Sequence, residues 1–218
     1  TDIGQKRSRN EDSLVIRSDL GIAVVADGMG GHPHGDLAST LATGTVTTKL
    51  QEFAEFDRDS SHSADAMAKA LLSAHEVIRT NIEENPKLDG MGTTVVTMLI
   101  DPSSESYTLG HVGDSRAYRL RGGELIQLTT DDTWVQERLD ANHLTAEQAS
   151  GHPLGHMITQ CLGLENSPEP HVSEGSLISG DIYLLCSDGL TGVLTDKNIT
   201  EMLHGTLGPN PQDAEAAV

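Results

Sequence analysis

Aromatic residues are scarce: two Phe, three Tyr and one Trp make up 3% of the 218 residues. A core must therefore rest on Val, Leu, Ile, Ala and Met. Basic residues are scarce too, with 14 Lys and Arg against 33 Asp and Glu, a formal charge of −19. Such a surface repels nucleic-acid phosphates and anionic membranes, so neither is an expected partner. It is compatible with divalent cations, because oxygen ligands are plentiful, although most of these carboxylates serve solubility. Cysteine is limited to Cys161 and Cys186, neither in a CxxC pair, which points to a reducing compartment and a cytoplasmic location. No apolar run approaches the ~18 residues of a membrane-spanning helix, and no signal peptide is evident. The chain begins at Thr1 rather than Met, which reads as a fragment.

Several hydrolytic chemistries are missing as well. A cysteine nucleophile for phosphoryl transfer needs an arginine six residues on, but Cys161 is followed there by Ser167 and Cys186 by Gly192. The DRDS stretch at 57–60 resembles an aspartyl-nucleophile motif but lies in a polar loop, not after an apolar strand. There is neither a GxSxG elbow nor a GxxxxGK[ST] loop.

What is present reads as one domain over residues 1–218. Helices are expected over 36–53, with Ala38, Ala42, Val46 and Leu50 on one stripe, and over 64–82, where Met67, Leu71, Ala74, Ile78 and Ile82 recur at helical spacing. Ser63 is the expected cap of the second. Strands are expected around Val15 and over 21–26, 93–100, 106–113, 117–128 and 180–189, with Gly122-Gly123 turning a hairpin. Residues 133–151 are polar and helical in part, and 195–203 and 212–218 read as helices. Segments 54–63, 84–92 and 163–176 read as loops. Consecutive strands joined by tight turns indicate antiparallel pairing, hence an α+β fold.

Three apolar strands end on an aspartate: VVADG on Asp27, HVGDS on Asp114 and LLCSDG on Asp188. A carboxylate at a buried strand end costs free energy unless a cation or donors satisfy it. Gly28 and Gly189 follow two of them and would let a ligand approach the backbone; the Gly28 carbonyl is itself a candidate ligand for a hard cation. Each Asp-Gly pair is also an ordinary turn, and spacing alone does not bring residues 12, 27, 114 and 188 together.

The ordered set RSRNED (7–12), VADGMGGH (25–32), GTT (92–94), GHVGDSRAY (110–118), LTTDDTWV (128–135) and LLCSDGL (184–190) resembles the metal-dependent protein Ser/Thr phosphatases of the phosphatase 2C (PPM) family, bacterial type. The resemblance covers nearly the whole chain, from Thr1 to about Leu203. It implies an αββα sandwich of two antiparallel sheets flanked by helices, with a Mn²⁺ or Mg²⁺ centre of two or three ions at one end. By that resemblance Asp27 bridges two metals, the Gly28 carbonyl binds one and Asp188 the other. Asp12, with Glu11 near it, holds metal-bound waters; Asp114 serves a third, weaker ion; and Arg7 holds the substrate phosphate. Oxygen ligands suit Mg²⁺ and Mn²⁺, a metal-bridging water would attack phosphorus in line, and a guanidinium matches phosphate oxygens. The implied substrates are phosphoserine and phosphothreonine in proteins, the implied counterpart a Ser/Thr kinase, and the expected state a monomer.

The chain departs from the pattern in places. Animal members carry a histidine directly after the Asp-Gly pair; here it is Met29. His32 or His34, on the same loop, could supply a proton near neutral pH, given an ordinary histidine pKa of ~6.5, or could position waters; His32 is the leading candidate. A His32-Pro33-His34 zinc site lacks a third soft ligand. Asp132 stands where bacterial members usually carry histidine. Residues 133–160 should hold a flap over the site. The family's last strand, with an Asp-Asn pair, is not found, which reads as a domain cut short at its C-terminus or, alternatively, as a natural short form with weakened catalysis; Asp213 is no substitute because its flanks read as helix. A pseudophosphatase that senses phosphoproteins and a small-molecule phosphomonoesterase are the alternatives.

Overall fold

The computed structural model describes residues 10–29, 34–56 and 60–206. Arg7, His32, Asp213 and the helix expected over 212–218 lie outside these residues.

Eight strands form two antiparallel sheets. The first has five strands in the order β1-β2-β3-β4-β7, comprising β1 (Asp12–Arg17), β2 (Ile22–Asp27), β3 (Val95–Asp101), β4 (Ser106–Val112) and β7 (His171–Ser176). The second has three in the order β6-β5-β8, comprising β5 (Arg116–Arg121), β6 (Glu124–Gln127) and β8 (Ile182–Cys186). Each of these pairings is antiparallel, as expected from the short turns. Gly122 (φ 57°) and Gly123 (φ 91°) form the hairpin between β5 and β6; two successive left-handed residues are what a type I′ turn requires.

Helices α1 (Gly35–Phe56) and α2 (Ser63–Glu84) pack on each other and on the outer face of the five-stranded sheet. Their expected stripes are the buried ones: Ala38, Ala42, Val46 and Leu50 from α1, and Met67, Leu71, Ala74 and Ile78 from α2, close against Ile22, Val24 and Val95. The alanines let α1 lie close to the sheet, while the larger residues fill the layer. A second cluster lies between the sheets, where Val96, Met98, Tyr107, Leu109 and Ala117 meet Tyr183 and Leu185. Tyr107 and Tyr183 touch edge to face at 5.2 Å. Leu71 is fully buried in the first cluster, so Leu71→Ala is expected to lower stability by about 2–5 kcal/mol, seen as a lower urea midpoint.

Three expectations need correction. Residues 163–176 are not all loop: HVSEGS pairs with β4 as an edge strand. Its side chains are polar because the strand is largely exposed, so it lacks the alternation that marks a half-buried strand. Segment 54–63 is shortened because α1 runs on to Phe56. Ser63 is not the cap of α2; His62 is the N-cap residue, and the Ser63 hydroxyl donates to Glu174 Oε1 (2.8 Å) on β7 and accepts from Thr108 Oγ1 (2.8 Å). The polar stretch 133–151 forms α3 (Trp134–Asp140) and α4 (Ala146–Ala149), and α5 (Asp188–Thr191) and α6 (Asp196–Thr206) follow β8.

The second sheet does not extend over the whole of the first. β8 pairs with β5 on one side, and among the described residues no strand pairs with its other edge. Leu14 lies opposite Val25, and Val25 packs into the cluster between the sheets, so Leu14 and Ile16 point to that same interior face. They are nevertheless 38% and 60% exposed.

Candidate active site

The antiparallel register of β1 and β2 sets Asp12 directly opposite Asp27. Two carboxylates facing each other across a ladder repel, and no packing gain offsets the cost. Asp188 joins them from the start of α5, where Ser187 occupies the N-cap position. The Ser187 hydroxyl donates to Asp12 Oδ2 at 3.3 Å, while Asp12 Oδ1 is buried without a hydrogen-bond partner. Asp114 follows β4 by one glycine and is only 9% exposed.

The backbone under Asp27 is firmly held. Its N–H donates to Thr94 Oγ1 (3.1 Å), and its carbonyl accepts from Thr94 N (3.0 Å) and Thr93 Oγ1 (2.9 Å). Gly28 N donates to Glu11 O (3.0 Å) and Met29 N to Gly92 O (3.0 Å). Gly28 is required by close approach: a Cβ there would overlap the Gly35 carbonyl and lie 2.6 Å from Glu11 O. Glu11 O also accepts from Ser39 Oγ at 2.6 Å, so β1, β2 and α1 are tied together at this corner.

Asp27, Asp114 and Asp188 line one cavity of about 280 Å³ together with Met29, Thr94, His156 and Ile158. A larger groove of about 630 Å³ lies around Ile16, Leu20 and Ile100, but its acids are Asp19, which is paired with Arg17, and Asp101, which is bonded to Ser103 and Ser104. The smaller cavity is therefore the candidate site, because its three aspartates lack such pairing.

Burial pushes the Asp27 carboxyl up to about 8, reinforced by the charges of Asp12 and Asp188. Burial likewise pushes Asp114 up to about 6, with Asp188 and Asp131 adding to the rise and Arg116 opposing it. Both folded-state values exceed the ordinary 3.8. Without a cation the native state thus holds more protons than the unfolded chain above that pH. The associated stability is full below it and is lost as pH rises through about 6 for Asp114 and about 8 for Asp27. The urea midpoint of chelator-treated protein is expected to fall steadily from about pH 5 to about pH 8.5, and saturating Mn²⁺ should largely remove that fall. A flat profile in chelator would contradict the cluster's electrostatics.

The donor set fits hard divalent cations. An orphaned buried oxygen on Asp12 and the carboxylates of Asp12 and Asp188 converging on Asp27, none of them ion-paired with a Lys or Arg among the described residues, are oxygen donors that suit a cation. Among the described residues no three His, Cys, Asp or Glu side chains form a ready-made ion cage.

Of the residues read from the sequence, Asp12, Asp27, Gly28, Asp114 and Asp188 gather at this end of the sandwich. Glu11 is adjacent, but its carboxylate lies against Gly35 in the first turn of α1. Met29 lines the cavity and packs its methyl over Gly92. His34 precedes α1 with φ 85°, a conformation uncommon for a side-chain-bearing residue. His156 was not singled out from the sequence. It sits on an irregular segment, where no periodicity flags it, yet it faces the same cavity as the aspartates. Thr94 was quoted only as part of GTT; its hydroxyl anchors Asp27 N–H and meets Ser115 Oγ at 2.6 Å.

The chain resembles known proteins along nearly its whole length. The sequence profile described as "Protein phosphatase 2C" matches residues 4–213. The chain is 38% identical over 220 residues to the serine/threonine protein phosphatase PstP of Mycobacterium tuberculosis, covering all of this chain and 39% of that protein. It thus spans about two-fifths of that relative's length. It is 34% identical over 206 residues to the protein phosphatase PhpP of Streptococcus pneumoniae, covering 93% of this chain and 82% of that one. The crystal structure of the PstP catalytic domain in complex with two manganese ions superposes with a TM-score of 0.79 at 36% identity, covering 98% of this chain and 84% of that one. With its aspartates at the ends of two antiparallel sheets and a family match along nearly its whole length, the chain belongs to the protein phosphatase 2C family.

Proposed function

We propose that the chain is a Mn²⁺- or Mg²⁺-dependent protein serine/threonine phosphatase. The observation that carries this reading is Asp27, set opposite Asp12 and beside Asp188 on an open cavity, with its carboxyl raised to about 8. Asp27, the Gly28 carbonyl and Asp188 would hold a pair of ions, Asp12, with Glu11 near it, would bind through water, and Asp114 would serve a third ion. When bound, such ions acidify water and offset charge on the phosphoryl group. The chain's own part is to hold these oxygens in place through Thr93, Thr94 and Ser187 and to line the cavity. Arg7 is the proposed phosphate ligand, and His32, or else His34, the proposed proton donor to the leaving oxygen.

The proposed substrates are phosphorylated proteins, with a Ser/Thr kinase as the opposing activity and a cytoplasmic monomer as the working form. Among the described residues no helix is long and apolar enough to cross a membrane. Residues 1–218 are proposed to act as one catalytic domain whose second sheet accepts a further strand along β8. The exposed interior faces of Leu14 and Ile16 and the edge of β8 that no described strand pairs support this. The same edge gives a phosphoprotein-binding pseudophosphatase its one supporting observation.

The test is phosphate release from a phosphothreonine peptide compared with a sugar phosphate and a nucleoside monophosphate, each with Mn²⁺. A kcat/KM at least about 100-fold higher for the peptide is expected, equivalent to ~2.7 kcal/mol of transition-state preference. Comparable rates would favour a small-molecule phosphatase. No turnover by folded, metal-loaded protein would favour the pseudophosphatase.

A further inference from the structure

The buried carboxylate of Asp132 takes no part in the cavity, yet it meets three separate pieces of the fold. It is only 7% exposed. Its Oδ2 accepts from Gly113 N at 2.8 Å, and the Asp132 N–H returns a bond to Gly113 O at 3.0 Å. Gly113 is the residue immediately before Asp114, so this reciprocal pair fixes the turn that presents Asp114. Oδ1 accepts from Gln160 Nε2 at 3.1 Å and from His171 Nε2 on β7 at 2.8 Å. The Asp132 carbonyl accepts from Thr159 N at 2.8 Å.

Within residues 133–160, the segment expected to hold the flap, the Thr133–Ile158 bridge and Trp134 N donating to Met157 O at 2.8 Å close its base. Asp132, Thr159 and Gln160 lie just outside that bridge, one on the segment leading into it and two on the segment leaving it. His156 and Ile158, on the returning side, face the cavity with Asp114. One side chain therefore joins the flap base to the Asp114 turn. His171 is braced in turn by stacking on His111, with ring centroids 4.7 Å apart. His111 Nε2–H donates to Thr130 O at 2.8 Å, next to the same segment.

We propose that Asp132 is a positioning residue that couples the flap to Asp114, so that flap placement and the affinity of the Asp114 ion site change together. This rests on the reading of Asp114 as a ligand of the weaker ion. Removing the carboxylate leaves the Gly113 N–H buried without an acceptor and releases the flap exit at Gln160. A partner of this kind behind a metal ligand typically contributes 10–100-fold in metal affinity.

The chain supplies its own reporter. Trp134, its one tryptophan, sits at the flap base between Arg138, 5.1 Å from the ring centroid, and the His152 ring, stacked at 5.2 Å. Mn²⁺ binding by calorimetry and Trp134 emission in chelator are to be measured for wild type, Asp132→Ala, Asp132→Asn and Asp114→Asn. Asp132→Ala is expected to weaken the weaker Mn²⁺ site about tenfold and to shift Trp134 emission in metal-free protein. Asp132→Asn, whose amide oxygen can still accept from Gly113 but whose NH2 would face the donors of Gln160 and His171, should move both readouts in the same direction by less than Asp132→Ala, at or below the low end of that range. Asp114→Asn should abolish the weak site and leave the emission unmoved.

If Asp114→Asn leaves the weak site intact, the ligand reading of Asp114 fails and the proposal with it. If Asp114→Asn abolishes the site but Asp132→Ala lowers only the melting temperature, or moves only one of the two readouts, the coupling is overturned while the ligand reading stands. Should Asp132→Ala not fold, Gln160→Ala combined with His171→Ala strips the flap and β7 partners and keeps the Gly113 bond. That variant should move both readouts, and a change in neither or in one alone overturns the proposal.

Discussion

Asp27→Asn is expected to lower Mn²⁺-dependent phosphate release by about 1,000-fold or more, while making the metal-free protein more stable at neutral pH. The two effects have opposite signs for one reason. Asparagine removes an anionic oxygen that two ions would share, the kind of electrostatic contribution whose loss costs orders of magnitude in kcat. It also removes a carboxyl that burial and the charges of Asp12 and Asp188 hold protonated near neutral pH. With the carboxyl raised to about 8, part of the cost of holding it ionised or protonated at pH 7 disappears on substitution, on the order of 3 kcal/mol for a group this buried. Single-turnover assays and urea titrations in chelator check the two halves independently. A variant that loses activity and stability together would mean that Asp27 is chiefly a structural residue.

Gly28→Ala should be nearly as damaging, by a different route. The new methyl would overlap the Gly35 carbonyl at the start of α1 and lie 2.6 Å from Glu11 O. Both are backbone atoms, so relief requires α1 and β1 to move away from β2. That breaks the Gly28–Glu11 bond (3.0 Å) and displaces the residue next to Asp27. Overpacking against fixed backbone costs about 3 kcal/mol, and a shift of roughly 1 Å at the proposed metal-binding carboxylate costs about 100-fold in rate. Thermal melting and kcat measure the two effects. A variant with wild-type stability would show that this corner is looser than its geometry indicates.

How much of this the sequence disclosed depends on where each residue sits. The stripes of α1 and α2 were legible because their apolar residues recur every three or four positions and are buried in that order. The β5–β6 hairpin was legible from two adjacent glycines, both left-handed. β7 was not, because a polar edge strand is held by backbone bonds to β4 and by contacts such as Ser63–Glu174, which leave no periodic trace. The Ser63 cap failed for a related reason: a long-range partner took the hydroxyl that a local rule assigned to the helix end.

At the site, three strand-ending aspartates were visible along the chain, but their convergence was not. The Asp12–Asp27 pairing is a matter of register, and Asp188 arrives from 161 positions beyond Asp27 in the sequence. The ordered motifs supplied that convergence by resemblance alone. His156 escaped because neither its neighbours nor its spacing distinguish it from other flap residues, and only the return of the chain through the Thr133–Ile158 bridge brings it over the cavity. Asp132 was noticed as a departure from the family, but its three-way contact exists only in the folded chain.

The central claim is that the aspartate cluster exists to hold divalent cations, and the most direct measurement is calorimetric titration of chelator-stripped protein with Mn²⁺ at about pH 7 in buffers of different ionisation enthalpy. With Asp27 at about 8, the account predicts at least two strong sites and a buffer-dependent heat, because the incoming ions displace the proton that Asp27 carries. Both signals should vanish in Asp27→Asn. Strong Mn²⁺ binding that persists unchanged in Asp27→Asn, or no binding by the folded wild-type chain, would contradict it.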